Sequence, residues 1–230
     1  MLSFEFELRP VPQCRLTKLA GRPMLGFNAL SDGAAVLADA NVKLLPDASL
    51  GWSEKKLAGP DVHLLTLFDD LASVLAIQVR AQPLPELLGD GTASEILARY
   101  ESLVAATEDE LDDPPDEVLA AGDHLVARSV YLPGDTRVLV LDRGSHVELA
   151  CEGASMAVPR DEFLDVFRAA AERFFIAMRP RADLVIALQG RQGYLPPSEL
   201  ARQGAQWQRR VEALLRRAAG EKFAPLQWPW

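Results

Sequence analysis

TRVLVLDRGSHVELAC, Thr136–Cys151, decides the class of fold. Two runs rich in Val and Leu, Thr136–Asp142 and His146–Cys151, flank Arg143-Gly144-Ser145. Branched apolar residues suit a pleated, half-buried surface, and a short break containing glycine suits a hairpin. Upstream, HLVARSVYL (His124–Leu132) is a third such run, set off by Pro133-Gly134-Asp135. Downstream, Ser155–Val158 is a fourth. Four short runs joined by tight turns predict an antiparallel β-meander.

Helical spacing lies on both sides of it. Pro159 and Asp161 suit a helix start. Phe163, Val166, Phe167, Ala170, Phe174, Ala177 and Met178 then form a wide apolar stripe. Pro180 is expected to end or kink that helix, with Ala182–Gln189 resuming it. Pro196-Pro197-Ser198 opens a last helix carrying Leu200, Trp207, Val211, Leu214 and Ala218. Before the meander, Leu64, Leu67, Phe68, Leu71, Val74 and Leu75 fall on one helical face from Asp61 onward, closed by Pro83 and Pro85. A shorter helix over Ser94–Ala106 turns Ile96, Leu97, Tyr100, Leu103 and Val104 inward.

The chain opens with period two: Phe4, Phe6 and Leu8 alternate with Glu5, Glu7 and Arg9, a half-buried strand ended by Pro10 and Pro12. A second strand is expected near Gly26–Leu30, a turn at Ser31-Asp32-Gly33, and further strand through Val36 and Val42–Leu45. Strands and helices without regular β-α-β alternation make an α+β fold, with antiparallel β-sheets packed against several amphipathic helices. The 230 residues form a single α+β domain, or two lobes (1–106 and 118–230) joined by an acidic segment at 107–117.

Composition bounds function. The formal charge is −9, which disfavours a generic nucleic-acid surface, because phosphate binding relies on Lys and Arg displacing counterions. From Met178 to Lys222, nine basic residues stand against four acids, a polarity that could serve partner docking, and the C-terminal part is expected to pack beside the acidic middle of the same chain. Two cysteines far apart, Cys14 and Cys151, form no framework and point to the cytoplasm. The opening MLSFEFELRP does not read as a signal peptide. The longest apolar runs are too short to span a bilayer.

Catalytic signatures are sparse. None of His63, His124 and His146 has metal-ligand spacing to another histidine or a cysteine, and no HExxH or GxSxG occurs. Cys151 reads as buried and inert. Gly89-Asp90-Gly91 is too short for a dinucleotide loop, and Gly190-Arg191-Gln192-Gly193 reads as a turn. Asp69 and Asp70 are adjacent on a helix, point about 100° apart, and read as the solvated face. No cofactor or metal is expected. The largest local deviation is EDELDDPPDE, Glu108–Glu117, in which seven of ten residues are carboxylates. Two prolines make it irregular, and its spacing matches no calcium loop.

The order FEFELRP, FNALSDG, PLPELL, RSVYLPGDTRVLVLDRGSHVELACEG and VPRDEFLDVFRAAAERFFIAM resembles an uncharacterised bacterial protein family that opens with an FxFxLxP strand and a Leu-Thr-Asp-Gly turn. Ser31 stands where the turn threonine falls in that family, and several of its strand tryptophans are missing here. The resemblance implies architecture and bacterial origin, and no activity.

The expectation that follows is a non-enzymatic, cytoplasmic binding protein, most specifically an immunity protein that neutralises a toxin by direct binding. Its partner is then a protein such as a basic toxin domain, not nucleic acid or membrane. The expected contact residues are Glu108, Asp109, Glu110, Asp112, Asp113, Asp116 and Glu117, with Trp228 and Trp230 near the C-terminus as anchors. The alternatives are a small-molecule enzyme built from His146, Glu148, Asp142 and Arg143, and a structural or regulatory subunit.

Overall fold

The computed structural model describes residues 1–14, 17–19, 22–24, 30–44, 61–78, 86–108, 116, 122, 125–126, 137–151, 153–187 and 197–220. The α+β class holds. Three antiparallel sheets occur among the described residues. The first joins β1 (Ser3–Leu8), β4 (Asp32–Ala38) and β5 (Asp61–His63) in the order β1-β4-β5. β2 (Thr17–Leu19) and β3 (Arg22–Met24) form a small hairpin. The third is the expected meander: β6 (Leu125–Val126), β7 (Val138–Asp142), β8 (His146–Cys151) and β9 (Ala154–Pro159), in sequential order. The helices are α1 (Leu64–Gln78), α2 (Ala93–Glu108), α3 (Arg160–Ala187) and α4 (Pro197–Ala218).

Strand alternation explains how the meander is covered on two faces. Val138 and Val140 of β7 join Val147, Leu149, Met156 and Val158 in the main core, with α1 and α3. The intervening Leu139 and Leu141 join Ala150 under Ile96, Leu97 and Tyr100 of α2. Successive strand residues point to opposite faces, so β7 is buried on both. The main cluster draws residues from Leu2 to Ala218, on both sides of the acidic run. The α1 stripe read from sequence is buried along its whole length, with Leu64 and Phe68 at 0% exposure.

The β7–β8 turn is a two-residue hairpin in which the Arg143 amide donates to His146 O. Gly144 sits there at φ +83°, a conformation that glycine adopts without steric cost. The Pro133-Gly134-Asp135 turn and residues 25–29 lie outside the described residues.

Ser31-Asp32-Gly33 is corrected. Only Ser31 is in a turn; Asp32 and Gly33 begin β4. Gly33 is small for a different reason than a turn. A Cβ there would lie 2.3 Å from Glu7 O and 2.6 Å from Leu64 Cδ1, so glycine permits β1, β4 and α1 to meet. Pro180 does not end the helix: it lies inside α3, and the helix expected to resume at Ala182 is present as far as Ala187. Proline removes the N–H that would reach the Ile176 carbonyl, but Ile176 and Pro180 are both exposed, so water can satisfy that group. Asp69 is no solvated residue: it accepts a hydrogen bond from Arg210 of α4 at 3.0 Å, because α4 packs on α1. That pair ties the basic C-terminal helix to an acid of the same chain.

The outer edge of β1 is closed by α3. The Leu2 amide donates to Glu162 Oε1 (2.9 Å), and Arg173 donates to Phe4 O (2.9 Å). Arg181 donates to Arg9 O just beyond the strand (2.7 Å). An open edge is a template for unwanted pairing, and these side chains occupy it.

Candidate functional site

Two polar constellations and one cleft stand out among the described residues. The first lies at the tip of the meander, where α2 meets β8. Helix α2 starts at a capping box: the Thr92 amide donates to Glu95 Oε2 (2.9 Å), and the Glu95 amide reaches Thr92 Oγ1 (3.4 Å). The backbone bond from Thr92 is the main reason the Glu95 carboxyl is held below its usual range. The next amide, Ala93 N, donates to Glu148 Oε2 of β8 at 3.0 Å. Arg143 donates to the same oxygen (3.3 Å) and to Gly91 O. His146 Nε2 lies 3.3 Å from Glu148 Oε1, and its Nδ1 lies 3.1 Å from Ser145 Oγ.

Burial on its own would raise the Glu148 carboxyl. The Arg143 guanidinium, the Ala93 amide and His146 together outweigh it and hold Glu148 below the usual carboxylate range. The group is thus an anion at neutral pH, bonded through both oxygens. Beside it, Asp142 accepts from Arg160 Nε (2.8 Å) and from the Gly144 amide (2.8 Å), which fixes the hairpin to the start of α3. The structure therefore brings together Asp142, Arg143, His146 and Glu148. It adds Ser145, Arg160 and the α2 N-terminus, which sequence reasoning missed. Ser145 could have been read from its place next to His146, but Ala93 is 55 residues from Glu148 and leaves no local trace.

Because the Glu148 pKa is depressed in the fold, its contribution is present above the unfolded carboxylate pKa. That contribution disappears as pH falls through the lower folded value. Glu148→Gln is expected to cost about 2 kcal/mol at pH 7, and the gap from wild type should narrow as pH falls into the acid range below about 4. Urea unfolding at several pH values checks this; a gap independent of pH would contradict it.

The second constellation lies at one end of the β1-β4-β5 sheet. His63 Nδ1 is 2.7 Å from Asp32 Oδ1, and Asp32 is 2% exposed. Arg181, also buried, reaches Cys14 Sγ at 3.2 Å. Burial raises the Cys14 thiol above its ordinary value, and the neighbouring Arg181 only partly offsets this. Cys14 is therefore a protonated, weakly nucleophilic thiol. Arg181 of α3 thereby holds Arg9 and Cys14, which flank the 3-10 turn at Val11–Gln13. Cys151 is buried, and both cysteines are free thiols.

The cleft, of about 260 Å³, runs between α3 and α4 over the buried floor of Leu30, Phe175, Met178 and Leu200. Arg179 and Gln208 are its polar members. None of the residues singled out in the sequence as binding or catalytic lines it.

Of the expected contact residues, Glu108 is the last residue of α2 and Asp116 is exposed. Asp109, Glu110, Asp112, Asp113, Glu117, Trp228 and Trp230 lie outside the described residues, as does His124. The last turn of α2 contains no basic residue, so the negative end of its dipole leads directly into the acidic run. No described helix is long and apolar enough to cross a membrane, and no described group of three or more His, Cys, Asp or Glu side chains could hold a metal. Comparison with family models, curated proteins and solved structures finds no match to this chain.

Proposed function

We propose that the protein is a non-enzymatic cytoplasmic binding protein, most specifically an immunity protein that neutralises a basic toxin domain by direct contact. The observation that carries the reading is the charge at the end of α2. Helix ends favour cations at the C-terminus. In the sequence, Glu108, the last residue of α2, opens a run of carboxylates with no basic residue in it. Such a departure from the usual charge at a helix C-terminus breaks a local rule, and local rules are broken most often where function requires it. A basic partner would be steered by this concentration of negative charge and held by complementary charge. Co-expression with a basic toxin encoded beside this chain tests the idea: growth should be restored by the chain and lost without it. Failure to protect, together with no measurable binding to the purified toxin domain, would overturn it.

The hydrogen-bonded order Ser145–His146–Glu148 supports a second reading, a small-molecule enzyme at the hairpin tip. A serine hydroxyl beside a carboxylate-oriented histidine is the arrangement that activates an oxygen nucleophile. Yet Glu148 is also bound by Arg143 and Ala93, so the same contacts serve to dock α2. His146→Ala separates the two. Loss of ester hydrolysis with an unchanged melting temperature supports an enzyme; no hydrolysis by the wild type removes that reading.

A further inference from the structure

The cleft between α3 and α4 joins two kinds of surface. Its floor is apolar, and Leu30, Phe175, Met178 and Leu200 are each at most 5% exposed. Its α4 wall is made of small residues. Ala201, Gly204 and Ala205 stand at three- and four-residue spacing, so they share one face of the helix. Glycine is the poorest helix former apart from proline, yet Gly204 lies in the interior of α4. The sequence keeps about 260 Å³ open here against local propensity.

Charge at the cleft has one sign. Arg179 is the one charged side chain among its described lining residues. It is exposed, and it makes no hydrogen bond or ion pair with a described residue. Neither acid of α4 lines the cleft, and both are engaged: Glu199 accepts from Arg202 (2.6 Å) and Glu212 from Gln208 (2.9 Å). Gln208 gives one N–H to Glu212 and keeps a second N–H and its carbonyl oxygen. The chain from Met178 to Lys222 has nine basic residues against four acids, so the local field favours an anion although the whole chain carries −9.

We propose that the cleft binds a small monocarboxylate with an apolar body, of the medium-chain fatty-acid class. The body covers the floor, and the carboxylate pairs with Arg179. Size follows from volume. A cavity of about 150 Å³ holds benzene, so this one holds about ten non-hydrogen atoms, the size of octanoate. Charge follows from the single guanidinium, since a dianion would bring a second, unpaired charge onto an apolar floor. An ion pair at an exposed arginine is weak, so the apolar body supplies most of the affinity and the carboxylate sets orientation and selectivity. A ligand this small should bind with Kd between about 10 μM and about 1 mM.

Amide NMR titration of the full chain with octanoate tests this, with 1-octanol as the neutral probe of equal chain length. The expected result is saturable shifts at Met178, Gly204 and Ala205, with octanoate bound about threefold to fivefold tighter than octanol. Arg179→Gln should bring octanoate to the octanol value and leave octanol unchanged. Salt at about 1 M should narrow the same difference in the wild type. Gly204→Leu should fill the cleft and remove the response to both probes, with unchanged circular dichroism. Arg179 is exposed, so its replacement decides the matter even where Gly204→Leu does not fold. No saturable response up to about 10 mM octanoate overturns the proposal. So does equal binding of the two probes, or octanoate binding that Arg179→Gln leaves intact. Cleft amides that shift with protein concentration alone, and not with octanoate, would mean that a second copy covers the cleft, and would overturn it too.

Discussion

Phe68→Ala should lower stability by about 3–5 kcal/mol, the range for removing a buried phenylalanine. Phe68 is fully buried on α1. Its ring lies 5.2 Å from Phe4 and 6.1 Å from Phe6 of β1, and 5.6 Å from Phe167 and 5.0 Å from Phe174 of α3. It is the hub through which a strand and two helices share one aromatic cluster. Truncation removes the transfer energy of the ring and leaves a cavity that four rings on different elements cannot close together. Aromatic pairs add about 0.5–1.5 kcal/mol beyond area. For a chain of this size, each kcal/mol moves the melting temperature by about 2–4 °C. The drop should therefore exceed about 6 °C, measured by thermal unfolding with urea titration alongside. Ile176→Ala is the contrast. Ile176 is 61% exposed on α3, so its removal should stay within about 0.5 kcal/mol. Equal losses in the two variants would refute the packing argument.

On the proposed immunity function, replacing the seven carboxylates of Glu108–Glu117 by their amides should slow association with a basic toxin domain at least tenfold at low salt. The formal charge changes from −9 by seven, to −2. Steering depends on long-range field, so the association rate should respond more than the dissociation rate. At about 1 M salt the screening length is about 3 Å, and the difference should vanish. Neutralising Asp161, Asp165 and Glu172, exposed acids on α3, controls for net charge. If that change slows association as much per charge removed, the run at the end of α2 has no special part in recognition. Stopped-flow kinetics over a salt series reads both rates. Stability should rise slightly in the amide variant, because like charge at a helix C-terminus is relieved.

Periodicity carried the sequence reading where elements are long. The α1 stripe from Leu64 to Leu75 and the alternation of Phe4, Phe6 and Leu8 each repeat often enough to show a period, and each maps onto the core. The β2–β3 hairpin and β5 were not legible, because a three-residue strand is too short to display one. The chemistry of Ser31-Asp32-Gly33 by itself predicts a turn at Gly33. The role of Gly33 is close approach to Glu7 and Leu64, which sequence spacing does not encode. Asp142, Arg143, His146 and Glu148 stand out in the sequence because they lie within one hairpin. Their docking role was hidden, since it depends on Gly91 and Ala93 from another element.

The sequence by itself determined the class of fold, the core-facing residues of the longer elements, and where negative charge concentrates. These are local properties, set by residue type and spacing over one or two turns. Only the tertiary structure decided which polar groups are already occupied. Asp69 meets Arg210 across 141 positions and Arg181 meets Arg9 across 172, and no local pattern distinguishes such a residue from a solvated one. The same kind of contact decided how the β1 edge is covered: α3 reaches it with charged side chains.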